Sequence, residues 1–341
     1  MNLPLSYWGT MAFVLGAVIG SFLNVVIWRL PRGESLSHPG SHCPRCGHSL
    51  SAWENIPVLS YLVLRGRCRA CKEPISVRYP VVEALTGFLF FVFVLRFGPT
   101  IQAAAYCLFG AALIAAFFID LDHFIIPDEL NISAWGVGVA LDLWLAHTGD
   151  PAHRLIWGWL PRSIAAGGVC ALLFVAIQLI GQVLFRRDAM GDGDVKLARA
   201  IGAMLPLPQA LVSFFLAVAA GALIGGTLLL LHGEKEQEED PSAGEGEAEP
   251  ARTSVSAILM YGFLYAACLD VALHLASLVR LPVALRWTRN LFGSTDEGAD
   301  EEFVAGPTHI PFGPYMVVGA LAAVFVAEPL IRWYLHWARL E

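Results

Sequence analysis

The sequence predicts an all-α polytopic membrane helix bundle with a small cytoplasmic zinc-ribbon-like insertion. Three observations predict it. Hydrophobic residues make up 56% of the 341-residue chain and charged residues only 15%, against about 25% charged in a soluble domain. The apolar residues are blocked: 1–28, 97–119, 163–185, 207–231 and 310–327 contain no Asp, Glu, Lys or Arg. Each block approaches or exceeds the roughly 20 residues that a helix needs to cross a bilayer. Finally, two Cys-x-x-Cys pairs sit in the polar stretch that follows the first block.

In hydrocarbon every backbone polar group must be paired within its own segment, so the apolar blocks are helices. The first domain, 1–28, is one span. Its first basic residue is Arg29, after the apolar core, whereas a cleaved signal peptide carries its positive charge before that core. This order predicts an N-terminus outside and the next loop inside. That loop, 29–80, holds eight Lys or Arg and three Glu, which the positive-inside rule places in the cytoplasm. A transmembrane core is expected over 81–231, with spans near 81–97, 101–119, 131–148, 163–185 and 207–231. Weaker apolar runs carry Glu83, Asp142 and, within 256–280, Asp270 and His274. The segment 232–309 reads as an acidic insertion plus an extra apolar helix. Between Gly233 and Pro250 it has eight acids and one Lys, the composition of a solvated, disordered stretch. It also accounts for much of the net charge of −7. A last span and C-terminal tail occupy 310–341.

Counting crossings puts the polar cluster at 120–128 and the loop at 186–199 on the same, cytoplasmic side. A short helix is expected at 194–205, ended by Pro206 and Pro208; twelve residues reach only about 18 Å. Either this helix or the run 256–280, bent at Asp270 and Arg280, does not cross if residues 310–315 are cytoplasmic. The sequence leaves both arrangements open.

Cys107, Cys170 and Cys268 lie singly in apolar runs and read as packing residues. Cys43, Cys46, Cys68 and Cys71 form two Cys-x-x-Cys knuckles with 21 residues between them. Four thiolates so spaced suit one tetrahedral Zn²⁺, and a cytoplasmic loop disfavours disulfides; the alternative is a set of free or redox thiols. A loop of this size buries little core, so a structural zinc would supply its folding energy. The basic residues Arg65, Arg67, Arg69 and Lys72 suit anionic membrane lipid and the topology; no nucleic-acid partner is expected.

Acids at membrane depth are costly and usually functional. Asp120, Asp122 and Asp128 lie in FFIDLDHFIIPD; Asp192, Asp194 and Lys196 lie in MGDGDVKL. Hydrolysis by two carboxylates needs one ionised and one protonated, and neighbouring like charges push their pKa values apart. Asp120, ending an apolar helix, and Asp194, opening another after Gly191 and Gly193, suit that pairing. Those glycines allow close backbone approach and an unusual turn, and the alternative for Asp194 is a helix N-cap. Asp122 and Asp128 are expected to be supporting residues, with Gly191, Gly193 and Lys196.

Six ordered motifs then resemble one family: GSFLNVVIWRLP at 20–31, the two Cys-x-x-Cys pairs around WENIPVLSYL at 53–62, RYPVVE at 78–83, IDLDHFIIPD, GDGDVKLARAIGA and IPFGPY at 310–315. They resemble the type IV prepilin peptidases, which also act as N-methyltransferases and belong to the GxGD aspartic proteases. The resemblance implies Asp120 and Asp194 as the catalytic pair and type IV prepilins and pseudopilins as substrates, cut at the cytoplasmic face of the inner membrane. It also implies S-adenosylmethionine as methyl donor, with loop 29–80 serving that reaction. Glu83, Asn24 and Glu54 are then candidates to bind the cofactor or the freed amine; their alternative is to cap helices and hold the loop. The rival from another class is an ion- or proton-coupled transporter using the intramembrane aspartates.

Overall fold

The computed structural model describes residues 3–150, 153, 155, 156, 158–185, 190–232, 255–278 and 311–338. Among them the regular structure is helical and the only β-type pairings are isolated bridges. Six helices are long and apolar enough to cross a membrane: Leu5–Arg32, Arg78–Phe97, Ile101–His123, Arg162–Leu184, Leu207–Thr227 and Gly313–Trp337. The all-α membrane reading therefore holds. The acidic stretch 233–250, Arg186, Arg187, Arg280 and Ile310 lie outside the described residues. The chain divides into two compact units, Met1–Arg162 and Ser163–Glu341, so the division falls inside the expected 81–231 core.

The first unit contains α1 (Leu5–Arg29), the five-residue α2 (Leu59–Val63), α3 (Arg78–Phe97), α4 (Ile101–His123) and α5 (Asp128–His147). Lipid tails are as apolar as leucine, so helices in a bilayer associate by close backbone approach at small residues. The seam between α1 and α3 follows that rule. Gly16 and Gly20 form a Gly-x-x-x-Gly pair. A methyl group on Gly16 would come within 2.8 Å of the Thr86 carbonyl, and one on Gly20 within 2.7 Å of the Glu83 Cα. Gly87 returns the fit, with the Phe13 carbonyl 2.8 Å from its Cβ position. On the same helix Val14, Leu15, Val18 and Phe22 are exposed, as a lipid-facing surface requires.

α4 is the most enclosed of the candidate spans, with 67% of its apolar window buried. It turns into α5 through Phe124, a left-handed residue whose N–H donates to the Asp120 carbonyl. α5 forms close to the expected 131–148, but it begins at Asp128 and is not among the six helices above.

The second unit contains α6 (Arg162–Phe185), α7 (Asp192–Met204), α8 (Leu207–His232), α9 (Val255–Ala266), α10 (Leu269–Leu278) and α11 (Gly313–Trp337). Small residues again fix the seams. Gly167 faces the Arg199 carbonyl, Gly202 faces Cys170 and the Ala166 carbonyl, and Gly168 faces the Ala266 carbonyl. These contacts press α7 and α9 onto α6. Gly319 of α11 packs against Ser213 and Ala217 of α8.

Two expectations change here. As far as residue 278, the described part of the run 256–280 is two helices rather than one, interrupted at Cys268 with φ of 57°, so the break precedes the expected bend at Asp270. At about 1.5 Å per residue, neither half nor α7 has the length of a span. α7 begins at Asp192 rather than Asp194, which puts both acids in its first turn.

Candidate active site and metal centre

Asp120 occupies the last turn of α4 and is 5% exposed. The preceding apolar run carries it there. Asp122, two residues on and so on the other side of the helix, is exposed and pairs with Arg78 at 2.5 Å. Arg78 also donates to the Phe118 carbonyl at 3.2 Å and lies over the Phe118 ring. The first residue of α3 thus grips the end of the helix that carries Asp120. Asp128 sits in the first turn of α5 and is half-buried.

Asp194 is the third residue of α7 and is half-buried, while the helix is buried from Val195 onward except at Lys196. The N-cap is Gly191, not Asp194. Gly191 has φ of −75° and ψ of 151°, ordinary extended backbone, and a methyl group there would meet nothing within 4 Å. The unusual turn that this glycine allows is therefore absent. Asp192 accepts from Gln178 Nε2 and from the Tyr265 hydroxyl, each at 3.4 Å. Lys196 Nζ lies 5.3 Å from the centroid of the Tyr265 ring.

Deeper along this helix stand Arg199, which sequence reasoning did not single out as a site residue, and Asp270, which it read only as a bend in 256–280. Arg199 is wholly buried and its Nη1 lies 2.5 Å from Asp270 Oδ1. The same Nη1 donates to the Tyr265 carbonyl at 3.3 Å. The available signal was an acid and a base inside apolar stretches, which in a membrane implies a partner.

The four cysteines of the 29–80 loop converge. Their sulfurs all lie within 4.8 Å of one another, with Cys43 and Cys71 at 3.9 Å. A tetrahedral Zn²⁺ with Zn–S of about 2.3 Å needs sulfurs about 3.8 Å apart, so the donor set fits that ion. The two knuckles are built alike. Cys43 N–H donates to the His48 carbonyl and Cys68 N–H to the Glu73 carbonyl, both at 2.9 Å. Gly47 and Lys72 each close a turn with positive φ, 72° and 63°. Backbone N–H groups of Cys46 and then Arg45 bring the Cys43 thiol down to about 7, and the N–H of Cys71 lowers Cys68. Thiolate, the form that binds metal, is favoured at those two positions; at Cys71, against the Glu73 N–H, burial and the neighbouring thiols push the thiol up to about 12.

Glu54 and Glu83 are placed differently. Glu54 closes a capping box with Ser51 and faces His48 at 3.2 Å. The Ser51 hydroxyl and N–H hold its carboxyl at about 2. Glu83 is buried in α3 and accepts from the Val58 N–H at 2.7 Å, joining the cysteine module to the helix seam. Asn24, also buried, donates from α1 to the Tyr79 carbonyl, one turn before Glu83 on α3. Asn24 and Glu83 therefore share one seam, and Glu54 belongs to the module's own bonding.

Comparison with known proteins bears on all of these residues. The family model for the bacterial peptidase A24 N-terminal domain matches residues 14–97, and that for the type IV leader peptidase family matches 107–226. A prepilin leader peptidase/N-methyltransferase of Myxococcus xanthus is 37% identical over 322 residues, covering 94% of this chain and 90% of the relative. One from Pseudomonas putida is 34% identical over 251 residues, 66% of this chain and 82% of the relative. A type 4 prepilin-like proteins leader peptide-processing enzyme of Escherichia coli is 38% identical over 210 residues, 56% of this chain and 75% of the relative. No solved structure matches significantly. The cysteine module and the Asn24–Glu83 seam lie inside the first matched stretch, and both helix-end aspartates lie inside the second: the chain is a multi-pass membrane protein of the type IV leader peptidase family.

Proposed function

We propose that the chain is an aspartic endopeptidase of the inner membrane that removes the leader from type IV prepilin and pseudopilin precursors. The cut falls at the cytoplasmic face, and methylation of the new N-terminal residue follows. The observation that carries this reading is the 37% identity to the M. xanthus relative over 94% of the chain. The stretch 107–226, matched to the leader peptidase family, contains both Asp120 and Asp194. In this reading those two carboxyls share the work. One, ionised, takes a proton from water; the other, protonated, polarises the scissile carbonyl. Asp122, Asp128, Gly191, Gly193 and Lys196 support the site. The N-terminus lies outside, which puts the basic loop 29–80 in the cytoplasm.

Cys43, Cys46, Cys68 and Cys71 hold one structural Zn²⁺ in this proposal, supported by the geometry of the donor set. S-adenosylmethionine supplies the methyl group when bound. A buried carboxylate complements both a sulfonium and an ammonium charge, which supports Glu83 as its partner or that of the freed amine, with Asn24 on the same seam and Glu54 in the cysteine module. Nothing in the fold or the comparisons favours the transporter alternative.

The test is incubation of the purified protein with a prepilin and S-adenosylmethionine, read by mass spectrometry. A shortened, N-methylated product is expected. An uncut precursor overturns the proposal.

A further inference from the structure

α9 and α10 lie beyond residues 107–226, the stretch that matches the leader peptidase family. They nevertheless contact the one helix that carries the Gly-x-Gly-Asp motif, at three levels. At the first turn, the Tyr265 hydroxyl reaches Asp192, two residues from Asp194. One step deeper, the Tyr265 ring lies under the Lys196 ammonium. Deeper still, the Tyr265 carbonyl and the Asp270 carboxylate both hold the Arg199 guanidinium, in a place where Arg199 is 0% and Asp270 8% exposed. The chain break makes this possible. Cys268, with φ of 57°, stops α9 just after Tyr265 and restarts the backbone so that Asp270 also reaches Arg199.

A charged pair this deep is costly to assemble and specific once formed. Removing one partner leaves an uncompensated buried charge, while replacing both by apolar residues is often neutral for stability. Arg199 and Asp270 thus fix the rotation and depth of α7 more than they add to its stability. The geometry points to α9–α10 as a brace for the active-site helix, with Tyr265 and Asp270 as positioning residues for Asp194. This rests on the peptidase reading above.

Positioning is separable from folding by kinetics. Tyr265→Phe keeps the ring and the carbonyl and removes only the hydroxyl. It is expected to lower kcat about 3-fold with KM and melting temperature unchanged, the loss of one weak hydrogen bond. Asp270→Asn is expected to lower kcat more than 10-fold with KM within 2-fold, and to lower the melting temperature; Asp270→Glu should recover most of kcat. The double variant Arg199→Met/Asp270→Leu guards against a simple folding defect. It should melt within a few degrees of wild type and still show kcat reduced about 10-fold. Full kcat in the double variant overturns the proposal, as does any variant in which KM rises while kcat is kept. The contact itself is read without catalysis: in a Cys268→Ser background, Asp192→Cys/Tyr265→Cys in native membranes should be joined by a short bifunctional thiol reagent, and neither single variant should. Failure of that cross-link overturns the brace whatever the activity. Wild-type protein that cannot cut a prepilin while the cross-link forms overturns the peptidase reading and leaves the brace standing.

Discussion

Residues 41–75 and helix α7 both set polar chemistry beside apolar helices, by opposite means. The cysteine module carries Trp53, Leu62 and Val63 on its outside, 80%, 65% and 72% exposed. Its order comes from backbone knuckles and four converging sulfurs. α7 is enclosed instead: Val195, Ala198, Arg199, Ala200 and Ile201 are 0% exposed, and Gly167 and Gly202 bring α6 into backbone contact. On the proposed zinc, the first region would be dismantled by taking away one ion, since for such modules metal-binding energy is folding energy. The second is indifferent to metal and sensitive to a methyl group. Two activities resting on such different supports should fail separately.

The strongest way to break that comparison is at the aspartates. Asp120→Asn and Asp194→Asn are each expected to lower prepilin cleavage by at least about 10³-fold, with zinc content by elemental analysis unchanged. Zinc loss in either variant would show that the two regions are not independent. Next is the module. Cys43→Ser or Cys68→Ser should release the metal and cut methylation by about 10-fold or more, while cleavage stays within about 3-fold of wild type. A parallel fall in both reactions would show that the module also serves proteolysis. A finer separation comes from Glu83→Gln, whose side-chain carbonyl still accepts from Val58 but whose charge is gone. Methylation should fall about 10-fold, the difference between a charged and a neutral hydrogen bond, with the precursor still cut. The smallest effect is expected of Asp122→Asn, because it is exposed and its partner Arg78 is only half-buried. Cleavage should change by less than about 5-fold.

The membrane helices were legible because blocks of uncharged residues have one structural solution in a bilayer. The convergence of the four cysteines was legible because cysteine spacing is a geometric statement. What the sequence hid was long-range. Arg199 and Asp270 lie 71 residues apart, and no periodicity links them. The break at Cys268 was equally silent, since a cysteine in a left-handed conformation has no local signal as glycine has. Gly191 misled in the other direction. Its place in the motif suggested backbone contortion, yet its conformation is ordinary. At Glu83 the residue was visible as an acid at a span's edge, but its partner, a backbone N–H from a loop 25 residues earlier, was not.

That loop residue has a further consequence. Val58 has φ of 60° and ψ of −48°, the rarer hand of a three-residue turn, closed by the Leu59 N–H on the Pro57 carbonyl. A β-branched side chain resists this conformation, at about 1–3 kcal/mol. The strain is sustained by the bond that Val58 N–H makes with Glu83. Linkage therefore runs both ways. Any group that takes the Glu83 carboxylate must break that bond, and relaxation of Val58 offsets part of the loss.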